Sequence, residues 1–302
     1  MGEVERIAAD SRDNSWTCWR VEPAADRLLA RVNTIREGST MQANKLFDLS
    51  GKVALVTGGS RGIGFQMAEA LGEMGCRLAI SARKQSELDA ASAALRKANF
   101  EVLTIANDLG AAAAAAASLV GAVLDHYGRI DILVNNAGTV WGAPAVEHSP
   151  EAWRKVMGLN VDACFHVACE VARRSMIPNK SGKIINIASI AGFGGPRPDG
   201  GGFSVAYNTS KGALITLTQA LATEWGKHNI NVNAICPGYF PTKLSAGLAE
   251  RADEIAKVTP LGRVGGDDDI KGPVVFFASE ASRHVSGQAL AIDGGGSAVI
   301  LN

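Results

Sequence analysis

Neither sign of charge is in excess: thirty lysines and arginines balance thirty aspartates and glutamates over 302 residues. Lacking a net positive field, the chain has no whole-molecule attraction to nucleic acid or to an anionic membrane, so a small-molecule partner is expected. No run of about 18 apolar residues is available to span a bilayer. The opening stretch, MGEVERIAADSRDNSW, is acidic early and has no apolar core, unlike a secretory signal. A soluble cytoplasmic protein is expected. Cysteine pairing is missing too, since Cys18, Cys76, Cys164, Cys169 and Cys236 are odd in number and form no C-x-x-C. This argues against a disulfide frame or zinc site and makes them packing residues in a reducing compartment. The histidines (His126, His148, His166, His228, His284) show no ligand spacing, so no metal is expected.

What the chain does have is a 47% share of apolar side chains, enough for one large core. From Leu49 onward, apolar β-branched runs (KVALVT, RLAIS, EVLTIA, DILVNNAG) alternate with helical stretches near 62–75, 85–98 and 111–127. KIINIAS, INVNAICPG and ALAID follow as further strands, with helices near 151–177 and 206–226. Continuous apolar strands separated by helices predict an α/β fold: a Rossmann-like doubly wound parallel sheet in three layers, forming a single domain over residues 47–302. The seven alanines at 111–117 suit a crossover helix. Residues 1–46 share none of this pattern, although ADRLLARVNTI could make one short amphipathic helix. They read as an N-terminal extension, disordered or a product of start-site choice with Met41 as the alternative start. The other reading is an arm that packs on a neighbouring subunit.

TGGSRGIG at 57–64 follows the first strand and opens the first helix. Glycine is needed where backbone turns tightly beside a pyrophosphate, and a helix N-terminus offers that anion free N–H groups. Gly58, Gly62 and Gly64 form G-x-x-x-G-x-G, and Ser60, Arg61 and Ile63 share the loop.

TGGSRGIG, NNAG at 135–138, Asn160, Ser189, YNTSK at 207–211 and PGYFPT at 237–242 occur in the order found in short-chain dehydrogenases/reductases. The chain resembles that family over about residues 47–297. The resemblance implies one Rossmann-like domain that carries both NAD(P) and substrate, without a metal. It places Asp108, followed by Leu109, on the adenine and Asn135, Ala137 and Gly138 along the cofactor side of the fourth strand. Pro237, Gly238, the Phe240 backbone and the Thr242 hydroxyl are implied beside the nicotinamide. In RLAISARK, the place where similar NAD-dependent enzymes carry a ribose-binding acid is Ala82, with Arg83 next to it and Arg61 in the glycine loop. Two guanidiniums without a carboxylate favour a 2′-phosphate, so NADP(H) is expected in preference to NAD(H).

Tyr207 and Lys211 lie four apart, on one face of a helix. A nearby ammonium favours a phenolate, so Lys211 is expected to lower the Tyr207 pKa toward neutrality. By resemblance, Lys211 also holds the nicotinamide ribose, Ser189 hydrogen-bonds the substrate oxygen, and Asn160 interrupts its helix and sustains a water-borne proton relay. The reaction expected is hydride transfer between a ketone and a secondary alcohol, with Tyr207 as general acid and base. A 3-oxoacyl-thioester reductase and a sugar-acid or polyol dehydrogenase of the gluconate 5-dehydrogenase type are the alternatives. A non-catalytic NADP-binding redox sensor on the same fold is the alternative from another class. Related enzymes pack through the helices near 151–177 and 206–226, which implies a homodimer or homotetramer.

One feature departs from the family. Ser189 and Tyr207 are 207 − 189 = 18 positions apart, and the excess falls in GGPRPDGGGF, residues 194–203. The segment is expected either to line the substrate pocket, with Phe203 as an apolar contact and Arg197 as an anchor for an anionic group, or to form a solvated glycine-rich excursion. KLSAGLAERADEIAKV, at 243–258, matches the family's substrate lid, and the acids of DDD at 267–269 are expected to favour the dipole of the helix that follows.

Overall fold

The sheet has seven parallel strands, formed where the apolar runs stand in the sequence: β1 Val53–Thr57, β2 Arg77–Ala82, β3 Val102–Ala106, β4 Ile132–Asn135, β5 Gly182–Ile187, β6 Ile230–Pro237 and β7 Ala289–Ile292. The computed structural model describes residues 41–195, 204–242 and 251–299. Their order is β3-β2-β1-β4-β5-β6-β7, so the direction of winding reverses between β1 and β4. In such a sheet, ligands bind outside the carboxyl ends of the strands at that reversal.

Between the strands run α1 Gly62–Glu73, α2 Gln85–Lys97, α3 Ala112–Tyr127, α4 Pro150–Met157, α5 Ala163–Val171, α6 Ile177–Asn179, α7 Val205–Trp225, α8 Ala252–Val258 and α9 Lys271–Ala278. Every residue of β1 and β5 is buried, which is why these strands read as continuous apolar runs rather than alternating ones. Successive side chains of β1 serve opposite faces. Ala54 and Val56 pack with Met67 and Leu71 of α1, Leu88 of α2 and Phe277 of α9. Val53 and Leu55 pack with Leu119 and Val123 of α3, Val167 of α5 and Trp225 of α7. Each large aliphatic side chain buried this way contributes about 1.5–3 kcal/mol. The described residues from Ala43 onward form one compact unit.

The helical run from Pro150 to Asn179 is not a plain α-helix. Two π-turns interrupt it, Gly158–Asp162 and Ala172–Met176, and wide turns of this kind recur at functional sites. Its start is set locally: Ser149 accepts from the Ala152 amide at 3.1 Å, and Pro150 takes the first helical position.

At the amino edge of the sheet, the Asp131 carboxylate accepts the Val53 amide at 3.0 Å and the Arg129 Nε at 2.9 Å. The DDD segment differs from expectation. α9 begins only at Lys271, and the acids pair individually: Asp269 with Arg263 and the Gly266 amide, Asp268 with Lys271, and Asp267 with Gln66. Side-chain partners and backbone donors in the preceding turn claim these carboxylates before the helix dipole can. Cys76, Cys164 and Cys236 are buried free thiols, and the buried thiols are pushed up to about 11–12 by desolvation. Among the described residues, no helix is long and apolar enough to cross a membrane.

Candidate active site

At the carboxyl end of β1 the chain turns through Gly58, whose φ of +65° lies in the left-handed region that favours glycine. A β-carbon on Gly64 would stand 2.3 Å from the Gly58 carbonyl oxygen, so the loop closes onto the first turn of α1. Arg61 is the N-cap of α1 and makes no side-chain capping bond. The leading N–H groups of the helix therefore point into the crevice uncapped by a side chain, as an anion requires. Thr242 closes the far wall, with its Cγ2 3.3 Å from where a Gly62 β-carbon would lie. Ser60 and Ile63 are partly buried in the loop, and Ile63 also packs on the core. These residues fit a dinucleotide pyrophosphate.

The NNAG turn divides its work in a way the motif does not reveal. Asn135 turns its amide inward, donating to the Cys164 carbonyl at 3.3 Å and to Asn186 Oδ1 at 3.1 Å. Its neighbour Asn136 grips the glycine loop, donating to the Thr57 and Gly58 carbonyls at 2.9 and 3.0 Å. Thr57 Oγ1 in turn accepts from the Asn136 and Ala137 amides, both at 3.0 Å. Asn136 and Thr57, neither singled out as a site residue from sequence, thus fix the cradle. Their partners lie 78–80 positions away, so no local pattern marks them.

Just beyond the carboxyl end of β2 Arg83 is exposed, and Ala82 beside it supplies no carboxylate. Arg61 reaches across to Glu87 at 3.3 Å. Lys84, a third cation at this corner, also lies 3.9 Å from Glu87. Asp108 accepts the Gly110 amide at 3.0 Å, so one of its oxygens caps the short turn Leu109–Ala111. Leu109 buries its side chain in the core beside Val53 and Leu55, which leaves only its backbone for a ligand.

On the opposite side, Gly238 donates to the Ile292 carbonyl at 2.9 Å and has no room for a β-carbon against Asp293. The Phe240 ring is buried in the core beneath Gly265. Pro237 ends β6, and its carbonyl faces the Ser189 hydroxyl at 3.5 Å.

The structure brings Ser189, Tyr207, Lys211 and Asn160 together. Ser189 leads a short turn, Ile190–Gly192, that packs on α7, and its hydroxyl accepts the Ala191 amide at 3.1 Å. Tyr207 stands on the first turns of α7 and is hydrogen-bonded to Ser189. One turn further on, Lys211 is buried and donates to the Ile187 carbonyl at 2.7 Å. The Asn160 side chain is fully engaged within the π-turn: Oδ1 accepts the Thr139 amide at 2.8 Å, while Nδ2 donates to the Thr139 carbonyl at 3.0 Å and to Ser210 Oγ at 2.9 Å. Ser210, also unread from sequence, passes that contact to the Tyr207 carbonyl at 2.7 Å.

The electrostatics reverse one expectation. Burial pushes the Tyr207 phenol up, and it is the Ser189 hydrogen bond, not Lys211, that opposes the rise. The reason is geometric: the ammonium is 5.5 Å from the Tyr207 ring centre and is held at the Ile187 carbonyl. Burial also pushes Lys211 down, to about 8. Arg197 and Phe203, and residues 243–250 of the expected lid, lie outside the described residues. The remainder of that segment forms α8.

A glycine cradle at a sheet reversal, beside a Ser-Tyr-Lys cluster, defines a nicotinamide-dependent oxidoreductase. The family model described as short chain dehydrogenase matches residues 52–253, and the chain belongs to that family. A 2-dehydro-3-deoxy-D-gluconate 5-dehydrogenase of Dickeya dadantii is 40% identical over 253 residues, covering 82% of this chain and 96% of that one. A 3-oxoacyl-(acyl-carrier-protein) reductase of Chlamydia muridarum is 36% identical over 254 residues, covering 82% and 98%. Among solved structures, a gluconate 5-dehydrogenase of Burkholderia cenocepacia in complex with NADP and tartrate superposes with a TM-score of 0.78. It is 35% identical, and the match covers 86% of this chain and all of that one. The chain is accordingly an NAD(P)-dependent enzyme acting on CH–OH groups. Relatives that are dehydrogenases and reductases give no support to the alternative of a non-catalytic sensor.

Proposed function

We propose that the protein interconverts a keto and a secondary hydroxyl group on a sugar acid or similar hydroxy acid, using NADP(H) in preference to NAD(H). The observation that carries the chemistry is the Ser189–Tyr207 pair over a buried Lys211. When bound, the nicotinamide supplies or accepts the hydride. Ser189 and Tyr207 are then placed to hydrogen-bond the substrate oxygen, stabilising the charge that develops there. Because burial raises Tyr207, the phenol keeps its proton until the oxygen becomes basic enough to take it, which suits a general acid in the direction of reduction. Lys211 holds the ribose hydroxyls, and Asn160 braces the π-turn that supports the relay.

The absence of a carboxylate at Ala82, with Arg61 and Arg83 in place, supports the NADP(H) preference. The sugar-acid reading draws on the relatives acting on gluconate derivatives, and the 3-oxoacyl reductase relative keeps a thioester substrate as the second reading. Arg197 is the proposed anchor for the substrate carboxylate and Phe203 an apolar contact beside it. Assembly as a homodimer or homotetramer through α4–α7 is in keeping with exposed Trp153 and Phe165 on those helices.

The test is Tyr207→Phe assayed on a panel of keto sugar acids, ketones and acetoacetyl thioesters. NADPH binding should persist while turnover falls by about 10²–10⁴-fold. Near-normal turnover would remove Tyr207 from the mechanism.

A further inference from the structure

We propose that Glu87 is a positioning residue for recognition of the cofactor 2′-phosphate, acting through Arg61. The inference rests on the NADP(H) preference proposed above. Arg61 belongs to the glycine loop and Glu87 to the first turn of α2, so their 3.3 Å contact bridges the two elements between which the ribose must lie. The closest approach in this contact is through Arg61 Nε. Among the described residues the two terminal amino groups take no hydrogen bond, and they are the pair that forks onto a phosphate.

Holding the guanidinium by its Nε edge does two things. It fixes a long side chain, 46% exposed, whose freedom would otherwise be lost on binding the ligand. It also offsets repulsion in a corner where Arg61, Arg83 and Lys84 gather three positive charges. Three cations less one anion leave two positive charges, which match a phosphate monoester of about −2. Glu87 is only 25% exposed, and its second oxygen lies 3.9 Å from the largely exposed Lys84, at the limit of ion pairing, so Arg61 is its main partner.

A competing role is purely structural: an acid in the first turn of α2 favours the helix dipole. That role would change thermal stability and act on both nucleotides alike. The positioning role acts on NADPH alone.

The experiment is steady-state kinetics with NADPH and NADH on the wild-type enzyme and on Glu87→Ala, Glu87→Gln, Arg61→Ala and the Arg61→Ala/Glu87→Ala double variant. Glu87→Ala should raise the KM for NADPH about five-fold, the size of a partly exposed ion pair, with kcat and the KM for NADH unchanged. Glu87→Gln keeps an oxygen for Arg61 Nε but not the negative charge, and should restore only part of the loss. In the Arg61→Ala background, removing Glu87 should add nothing. An equal effect on both nucleotides, tighter NADPH binding in Glu87→Ala, or a Glu87 effect that survives loss of Arg61 overturns the proposal. If Arg61→Ala selectively weakens NADPH while Glu87→Ala does not, the positioning role alone fails. If the wild type shows no preference for NADPH, the cofactor reading fails and takes this inference with it.

Discussion

The Lys211 ammonium donates to the backbone carbonyl of Ile187, the last residue of β5, at 2.7 Å and stands 5.5 Å from the centre of the Tyr207 ring. In this arrangement the lysine answers to burial, which pushes it down to about 8, more than to its neighbour in the motif.

That value predicts a pH dependence of nucleotide binding. Below about 8 Lys211 is an ammonium; above it the amine is neutral. An anionic dinucleotide binds the charged form better, so binding raises the lysine pKa and takes up a proton once the pH exceeds 8. Affinity should therefore be flat near neutrality and fall on the order of ten-fold as the pH rises toward about 9.5. Calorimetry in buffers of different ionisation enthalpy measures both the affinity and the proton taken up. Lys211→Met should bind as weakly at neutrality as the wild type does at high pH, with no proton uptake. A wild-type affinity constant across this range would show that the lysine stays charged.

The glycine loop yields a second prediction. Gly64→Ala would place its β-carbon 2.3 Å from the Gly58 carbonyl oxygen and 2.4 Å from Asn136 Nδ2. Neither neighbour is free to yield: Gly58 O belongs to the backbone, and Asn136 is held by the Thr57 and Gly58 carbonyls. The loop must therefore move. Nucleotide affinity should fall at least about 100-fold, with a stability loss of about 1–3 kcal/mol, typical of overpacking. Fluorescence titration with NADPH and a thermal melt report the two effects separately. Wild-type affinity in Gly64→Ala would mean that the loop closure plays no part in binding.

This loop also marks how far the sequence could be read. The glycine cradle, the Tyr207–Lys211 pair and the alternation of strand and helix are local patterns, set by turn geometry, helical spacing and continuous burial, and all stand where the sequence puts them. What escaped reading joins distant segments. Asn136 reaches back 78–79 positions to the Thr57 and Gly58 carbonyls, and Asn160 meets Ser210 across 50. Glu87 looks like any acid on an exposed helix until Arg61 is seen to reach it. The Tyr207 pKa could not be read either, because spacing places the lysine near the ring and only packing shows where its ammonium goes.

The last prediction concerns the edge of the sheet opposite the site. Asp131 is 6% exposed, and its carboxylate accepts the buried Val53 amide at 3.0 Å as well as pairing with Arg129 and Lys52. Its own backbone joins β1 to β5, donating to the Val53 carbonyl and accepting from Lys183. Arg129 and Lys52 are nearly half exposed, so solvent screens their attraction and the pairing contributes little. The Val53 amide has no such alternative. Asp131→Ala should therefore cost about 2 kcal/mol through an unsatisfied buried N–H, lowering Tm by roughly 4–8 °C for a domain of this size. Asp131→Asn retains an oxygen for that amide and should lose less than half as much. Because the carboxyl ends of the strands are untouched, KM and kcat at room temperature should match the wild type in both variants. Equal losses for Asn and Ala would assign the stabilisation to charge instead, and a changed KM would mean that this edge communicates with the nucleotide site.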